Sequence, residues 1–202
     1  MYMSMKGIGR SNRAVALLVS CLFLIVGSGC GSKNAYDVTT MEFTKDGKII
    51  EHIVEEFDTA IYDSEELKQT IESEIAEYTK ASKSAVSLLE FGCEGDIVRC
   101  TVEYPSDDAY FDINNVPLFY GTISQAIRAG YNIAGVHEIS SGDEINNAKL
   151  EAMKESHIVI VNQAVDVNTY KDISYVSDGV VIGDDHKKAT VSGETTAYIV
   201  FD

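Results

Sequence analysis

From Ala14 to Val26 the chain runs for thirteen residues without a charge, AVALLVSCLFLIV, with Ser20 its only hydroxyl. Lys6, Arg10 and Arg13 precede this run, and no acidic residue occurs before it. A helix needs roughly 18 apolar residues to cross a bilayer, so thirteen is too short for a span but suits the apolar region of an export signal. This feature constrains the rest of the chain most strongly. It predicts that folding begins after about residue 30 and takes place outside the cytoplasm.

Gly27, Ser28 and Gly29 follow, and then Cys30. Small residues let an extended backbone enter a peptidase, and the thiol behind them offers a nucleophile for lipid transfer. Residues 5–30 resemble the bacterial lipoprotein signal peptide, whose lipobox ends in small residues and a lipidated cysteine. The resemblance implies a signal peptide at 1–29, a diacylglyceryl group on Cys30, a lipidated tether at 30–36 and a single extracytoplasmic domain at 37–202. Two acyl chains at about 0.8 kcal/mol per buried CH₂ hold such a protein stably on the outer face of the cell membrane. Seven tether residues reach at most about 25 Å, which sets the domain beside the bilayer.

Sixteen Lys and Arg against thirty-two Asp and Glu give a net charge of −16, and loss of residues 1–29 would remove three basic side chains and no acidic one. Such a surface repels phosphate backbones, so nucleic acid is excluded as a partner. It also keeps the domain off anionic lipid, leaving the lipid on Cys30 as the expected membrane contact. Hydrophobic residues at 45% with 24% charged are the composition of a packed globular chain.

Local patterning predicts an α+β domain, mostly antiparallel sheet built from hairpins, with about three helices. Strand-like alternation from Val38 to Thr44 and from Ile49 to Phe57 brackets Asp46-Gly47, a hairpin turn signal. Leu67, Ile71, Ile75, Tyr78 and Ala81 then recur at helical spacing behind Asp63 and Glu66, which suit a capped start. Glu65, Glu72, Glu74 and Glu77 are assigned to the outside of that helix. A second hairpin is expected over Ala85–Cys93 and Ile97–Tyr104. In the register of a two-residue turn, Leu89, Phe91, Cys93, Val98, Cys100, Val102 and Tyr104 share one face. Residues 105–121 read as a long connection. Thr122 with Gln125 predicts a capped short helix that stops near Gly130, and Ser141 with Glu144 predicts a third helix running to about Glu155. His157–Val161 and short strands at 164–169, 172–177, 179–183, 188–192 and 195–201 complete the pattern.

Beyond the signal, the layout is similar to a group of small lipoproteins of Gram-positive bacteria. The similarity rests on Phe119-Tyr120-Gly121-Thr122, His157-Ile158-Val159-Ile160-Val161 and Tyr198-Ile199-Val200-Phe201. It implies location and fold, not chemistry.

No catalytic template fits. His52, His137, His157 and His186 lie at no metal-pairing interval, and no GxSxG, SxxK or glycine-rich phosphate loop occurs. No catalytic residue, metal site or cofactor is therefore assigned. Glu55-Glu56 and Glu65-Glu66 read as solvated faces. His186, between Asp184-Asp185 and Lys187-Lys188, reads as a hairpin tip.

Two readings of function follow. The first is a binding or interaction module whose partner is an envelope protein or a ligand. The second is an envelope hydrolase acting on cell-wall or peptide substrates. The expected working surface is the 105–120 connection, where Asp107, Asp108, Tyr110, Phe111, Asp112, Asn114, Asn115 and Tyr120 combine aromatic area with directional polar groups. The competing role for its aromatic residues is to plug the core. Cys93 and Cys100 are diagonal neighbours in the proposed register. Export favours a disulfide between them, whereas the marginal spacing favours free thiols.

Overall fold

A computed structural model of the protein describes residues 36–202. The signal region, Cys30 and the tether up to residue 35 lie outside the described residues.

The first hairpin joins β1 (Thr40–Phe43) to β2 (Ile49–Glu56), with Phe43 opposite Ile49. Gly47 takes φ +88° in its turn, a conformation that glycine adopts without a Cβ penalty. Helix α1 (Ser64–Ser82) starts where the Asp63 carboxylate accepts from the Glu65 and Glu66 backbone N–H groups, and Lys83 ends it in the left-handed region. The second hairpin pairs β3 (Ser87–Glu94) with β4 (Ile97–Tyr104), placing Cys93 opposite Val98 and Phe91 opposite Cys100 as the alternation predicts. A bulge between Leu88 and Glu90 departs from that register. It turns Leu88 onto the core side and leaves Leu89, expected on the apolar face, 50% exposed.

Residues 105–121 are not a plain connection. They fold into α2 (Asp107–Asn114) and most of β5 (Leu118–Thr122). Ser106 caps α2 by accepting from the Ala109 N–H, Asp107 and Asp108 complement its positive end, and Asn115 closes it at φ 54°. The prolines flank these elements instead of interrupting them. Thr122 and Gln125 form the reciprocal cap of α3 (Ile123–Arg128). The next helix, α4 (Asn147–Ala152), is shorter than expected and is capped by Asn146. Glu144 instead forms a bridge with His137 beside β6 (Val136–Glu138). The remaining strands are β7 (His157–Val161), β8 (Ala164–Thr169), β9 (Ile173–Ser177), β10 (Val180–Ile182), β11 (Lys188–Ser192) and β12 (Ala197–Phe201).

These strands make two sheets. One has the order β10-β11-β8-β1-β2-β4-β3 and the other β5-β7-β12-β9-β6. The expectation of a mostly antiparallel, hairpin-built sheet with about three helices is corrected on two points. The larger sheet is mixed, because β8 lies parallel to β1 with Thr40 beside Asp166, and four helices are present among the described residues. Hairpins announce themselves through their turns. A pairing between strands more than a hundred residues apart has no local signature.

The inner face of the larger sheet contributes Met41, Phe43, Val98, Val102 and Val167 to the main core, which it shares with Val159, Val161, Ile199 and Phe201 of the smaller sheet. The smaller sheet is buried on its second face as well, where Ile158, Ile160 and Val200 meet Ile123, Ala126 and Val136. That explains the unbroken apolar run of β7. Gly193, at φ +76°, lies so close to the Gln163–Ala164 backbone that a Cβ there would stand 2.4 Å from the Ala164 nitrogen. This close approach sets the position of Gln163.

Candidate functional site

Strand β2 alternates Ile49, Glu51, Ile53 and Glu55 on one face and Ile50, His52, Val54 and Glu56 on the other. Both faces are mixed, so polarity alone does not say which is buried. Pairing with β4 decides it. Glu51 stands opposite Val102, Ile53 opposite Cys100 and Glu55 opposite Val98, all on the apolar face of β4. Glu51 is thereby drawn into the interior, where it is 4% exposed.

Two elements satisfy it. From β4, Tyr104 donates its hydroxyl to Glu51 Oε2 at 3.1 Å, and from α2 Tyr110 donates to Oε1 at 3.4 Å. Asn114 Nδ2 donates to the Tyr104 hydroxyl and to the Tyr110 carbonyl, both at 3.1 Å, and Gln163 Nε2 donates to the Tyr110 hydroxyl at 3.1 Å. The two tyrosine rings meet edge to face at 5.1 Å. Burial raises the Glu51 carboxyl from its ordinary 4.5 to about 7, although both tyrosine hydrogen bonds act in the opposite direction. Burial and the Glu51 charge together hold both tyrosine hydroxyls firmly protonated.

Beside this cluster, α1 stands off the sheet and leaves a cavity of about 90 Å³. Ile53, Ile71, Ile75, Val102 and Ile113 form its apolar wall, and Glu51, Asn114 and Gln163 lie on it together with Glu55 and Glu74. No Lys, Arg or His lines it. Glu74 belongs to the inner face of α1, three residues beyond Ile71, so its assignment to the outside is corrected. Glu55 likewise faces the cavity and not solvent alone. Burial first, and the neighbouring Glu56 charge second, raise the Glu55 carboxyl to about 7. Burial, then the Glu77 charge, also pushes Glu74 upward. Among the described residues Glu55 and Glu74 have no hydrogen-bond or ion-pair partner. Carboxyls raised by burial and gathered on one cavity wall mark a candidate binding site.

The residues expected to form a surface patch are divided between two directions. Tyr110 and Asn114 point inward to Glu51 and are buried. Asp107 accepts from the Tyr120 backbone N–H at 3.0 Å and clamps the start of α2 to β5. Tyr120 is half-buried, with its ring 5.1 Å from that of Phe43. Only Asp108, Phe111, Asp112 and Asn115 remain exposed, and Asp112 accepts from the Tyr78 hydroxyl at 3.1 Å. The patch is therefore not assembled as one surface. The core role for Tyr110 prevails because the helix turns it toward β2.

Cys93 and Cys100 are both free thiols, the first half-buried and the second buried. Burial pushes the Cys100 thiol up to about 12, so it carries almost no thiolate. Iodoacetamide should label Cys93 in the native protein and Cys100 only after unfolding, as read by peptide mapping. Equal native labelling of both would contradict this placement.

On the opposite face of the larger sheet, Tyr36 stacks on His52 at 4.1 Å between centroids and shares hydrogen bonds with Glu42 and Asn168. His157 and Tyr170 are joined at 3.1 Å within an aromatic group that includes Phe201. His186 sits at an exposed hairpin tip, where Asp185 accepts from the Lys187 and Lys188 N–H groups at 3.1 Å each. Among the described residues no three His, Cys, Asp or Glu side chains converge as a metal site, and no helix is long and apolar enough to cross a membrane.

Sequence reasoning missed Glu51, Glu55, Glu74, Tyr104 and Gln163 as site residues. The available signal was the repeated Ile-x-Glu-x-Ile-x-Glu on β2, which places acids on alternate positions of a strand that must bury one face. The chain matches no known family model, no curated protein and no solved structure.

Proposed function

We propose that this protein is an extracytoplasmic lipoprotein, held on the outer face of the cell membrane through Cys30, whose domain is a small-molecule binding module. The cavity between α1 and the larger sheet carries the binding half of this reading. A concave apolar site with a few convergent polar groups is the usual form of a ligand pocket. The run of basic, apolar and small residues ending at Cys30 supports the anchored half. The described chain begins at Tyr36 against His52, on the face of the sheet opposite Glu51.

The test is intact-mass analysis of the protein extracted from membranes, compared with Cys30→Ala. A mature chain starting at Cys30 with a diacylglyceryl mass increment is expected. Cys30→Ala should be released or left unprocessed. An unmodified Cys30, or a mature start elsewhere, would overturn the anchor.

A further inference from the structure

The cavity lining is rich in hydrogen-bond acceptors and carries no cationic side chain. Asn114 is more than nine-tenths buried, and both contacts of its Nδ2 are internal, one to a backbone carbonyl that can only accept. This fixes the amide orientation and leaves the Oδ1 of Asn114, a residue of the cavity lining, without a donor among the described residues. The amide nitrogen of Gln163 is likewise engaged by the Tyr110 hydroxyl, which leaves its oxygen as the free group. Tyr104 and Tyr110 direct their protons to Glu51. Thr39 exchanges hydrogen bonds with the Val54 backbone. Glu55 and Glu74 add two partnerless carboxylates, and no cationic side chain lines the space. A ligand that satisfies this lining must bring donors and positive charge, and it must present an apolar stem to Ile53, Ile71 and Ile75. An ammonium group has three donors and no acceptor.

We propose that this cavity binds a small aliphatic amine in its cationic form, the ammonium donating to the acceptor lining and the hydrocarbon stem packing against the isoleucines of β2 and α1. The proposal rests on the binding-module reading and supplies its ligand class. Hydrogen bonds to charged groups are the stronger kind, so removal of a carboxylate that holds the ammonium weakens binding by about tenfold or more. The ionisable groups facing the cavity from β2, α1 and β4 are Glu51, Glu55, Glu74, Cys100 and Tyr104. Of these Glu51 and Glu55, each raised to about 7, gain negative charge between pH 6 and 8. Aliphatic ammonium stays charged throughout that range, so binding strengthens from pH 6 to pH 8.

The probe is n-hexylamine, titrated calorimetrically into the full chain in detergent, with 1-hexanol and hexanoate as matched neutral and anionic controls. Saturable binding of hexylamine is expected, tighter at pH 8 than at pH 6, with hexanol weaker and hexanoate silent. Glu55→Gln combined with Glu74→Gln should weaken hexylamine by about tenfold while leaving the unfolding transition cooperative. Silence with hexylamine, equal binding of hexanol, or unchanged affinity in the double variant would overturn the proposal. Binding of N-acetyl-lysine methylamide as tight as hexylamine would also overturn it, by transferring the site to a lysine of a protein partner. Failure here leaves the lipid anchor standing, because the mass of the mature chain reports on that separately.

Discussion

Glu51→Gln should make the protein more stable at pH 8 and leave it nearly unchanged at pH 5. Glu51 is 4% exposed, and its carboxyl is raised from 4.5 to about 7 chiefly by burial. A raised folded-state value means that the native protein holds this proton more tightly than the unfolded chain does. Its stabilising contribution is thus complete below about pH 4.5 and is lost as pH rises through about 7. The loss is on the order of 3 kcal/mol at pH 8, from about 1.4 kcal/mol per pH unit. Glutamine, like the protonated carboxyl, accepts from one tyrosine hydroxyl through its oxygen and donates to the other once that hydroxyl turns. Urea unfolding at pH 5 and pH 8 checks this. The wild-type midpoint should fall as pH rises, and the variant should lose most of that fall. The net charge of −16 acts in the same direction across the whole molecule. Glu90→Gln on the exposed β3 edge serves as the control, since it removes one charge and leaves the cavity unchanged. If both variants flatten the curve equally, the Glu51 assignment fails.

Tyr110→Ala should cost about 4 kcal/mol, the range for deleting a large buried aromatic side chain. The side chain is 0% exposed, so its removal opens a cavity against Tyr104. It also leaves Glu51 Oε1 and Gln163 Nε2 without their partner. Tyr110→Phe keeps the ring and loses only the hydroxyl contacts, at about 1–2 kcal/mol. In a domain of this size each kcal/mol moves Tm by about 2–4 °C, so the alanine variant should melt about 8–16 °C lower. Circular dichroism melting of both variants checks the order. A Tyr110→Ala protein that melts like wild type would return Tyr110 to the surface role that its neighbours Asp108, Phe111 and Asp112 retain.

The lipid anchor proposed at Cys30 rests on linear order alone, because signal recognition and lipid attachment read an extended chain. Local order also determined α1, the capped start of α3 at Thr122 and the two hairpins. In each of these the hydrogen bonds and apolar spacing lie within a few residues. The same logic failed where the partner was distant. Asp107–Asn114 reads as loop because two prolines and the Asn114-Asn115 pair surround it, yet Ser106 caps it and β5 holds Asp107. The parallel β1–β8 pair was decided only by folding, since no turn joins those strands. Tertiary structure likewise decided the site. Ile49, Glu51, Ile53 and Glu55 share one face of β2 whatever the fold, but only pairing with the apolar face of β4 makes that face the interior. Burial then raises an ordinary carboxyl to about 7, and packing of α1 on the sheet adds Glu74 to the same cavity lining as Glu55. Desolvation depends on everything packed around a group, and that environment comes from segments far from Glu51 in the chain.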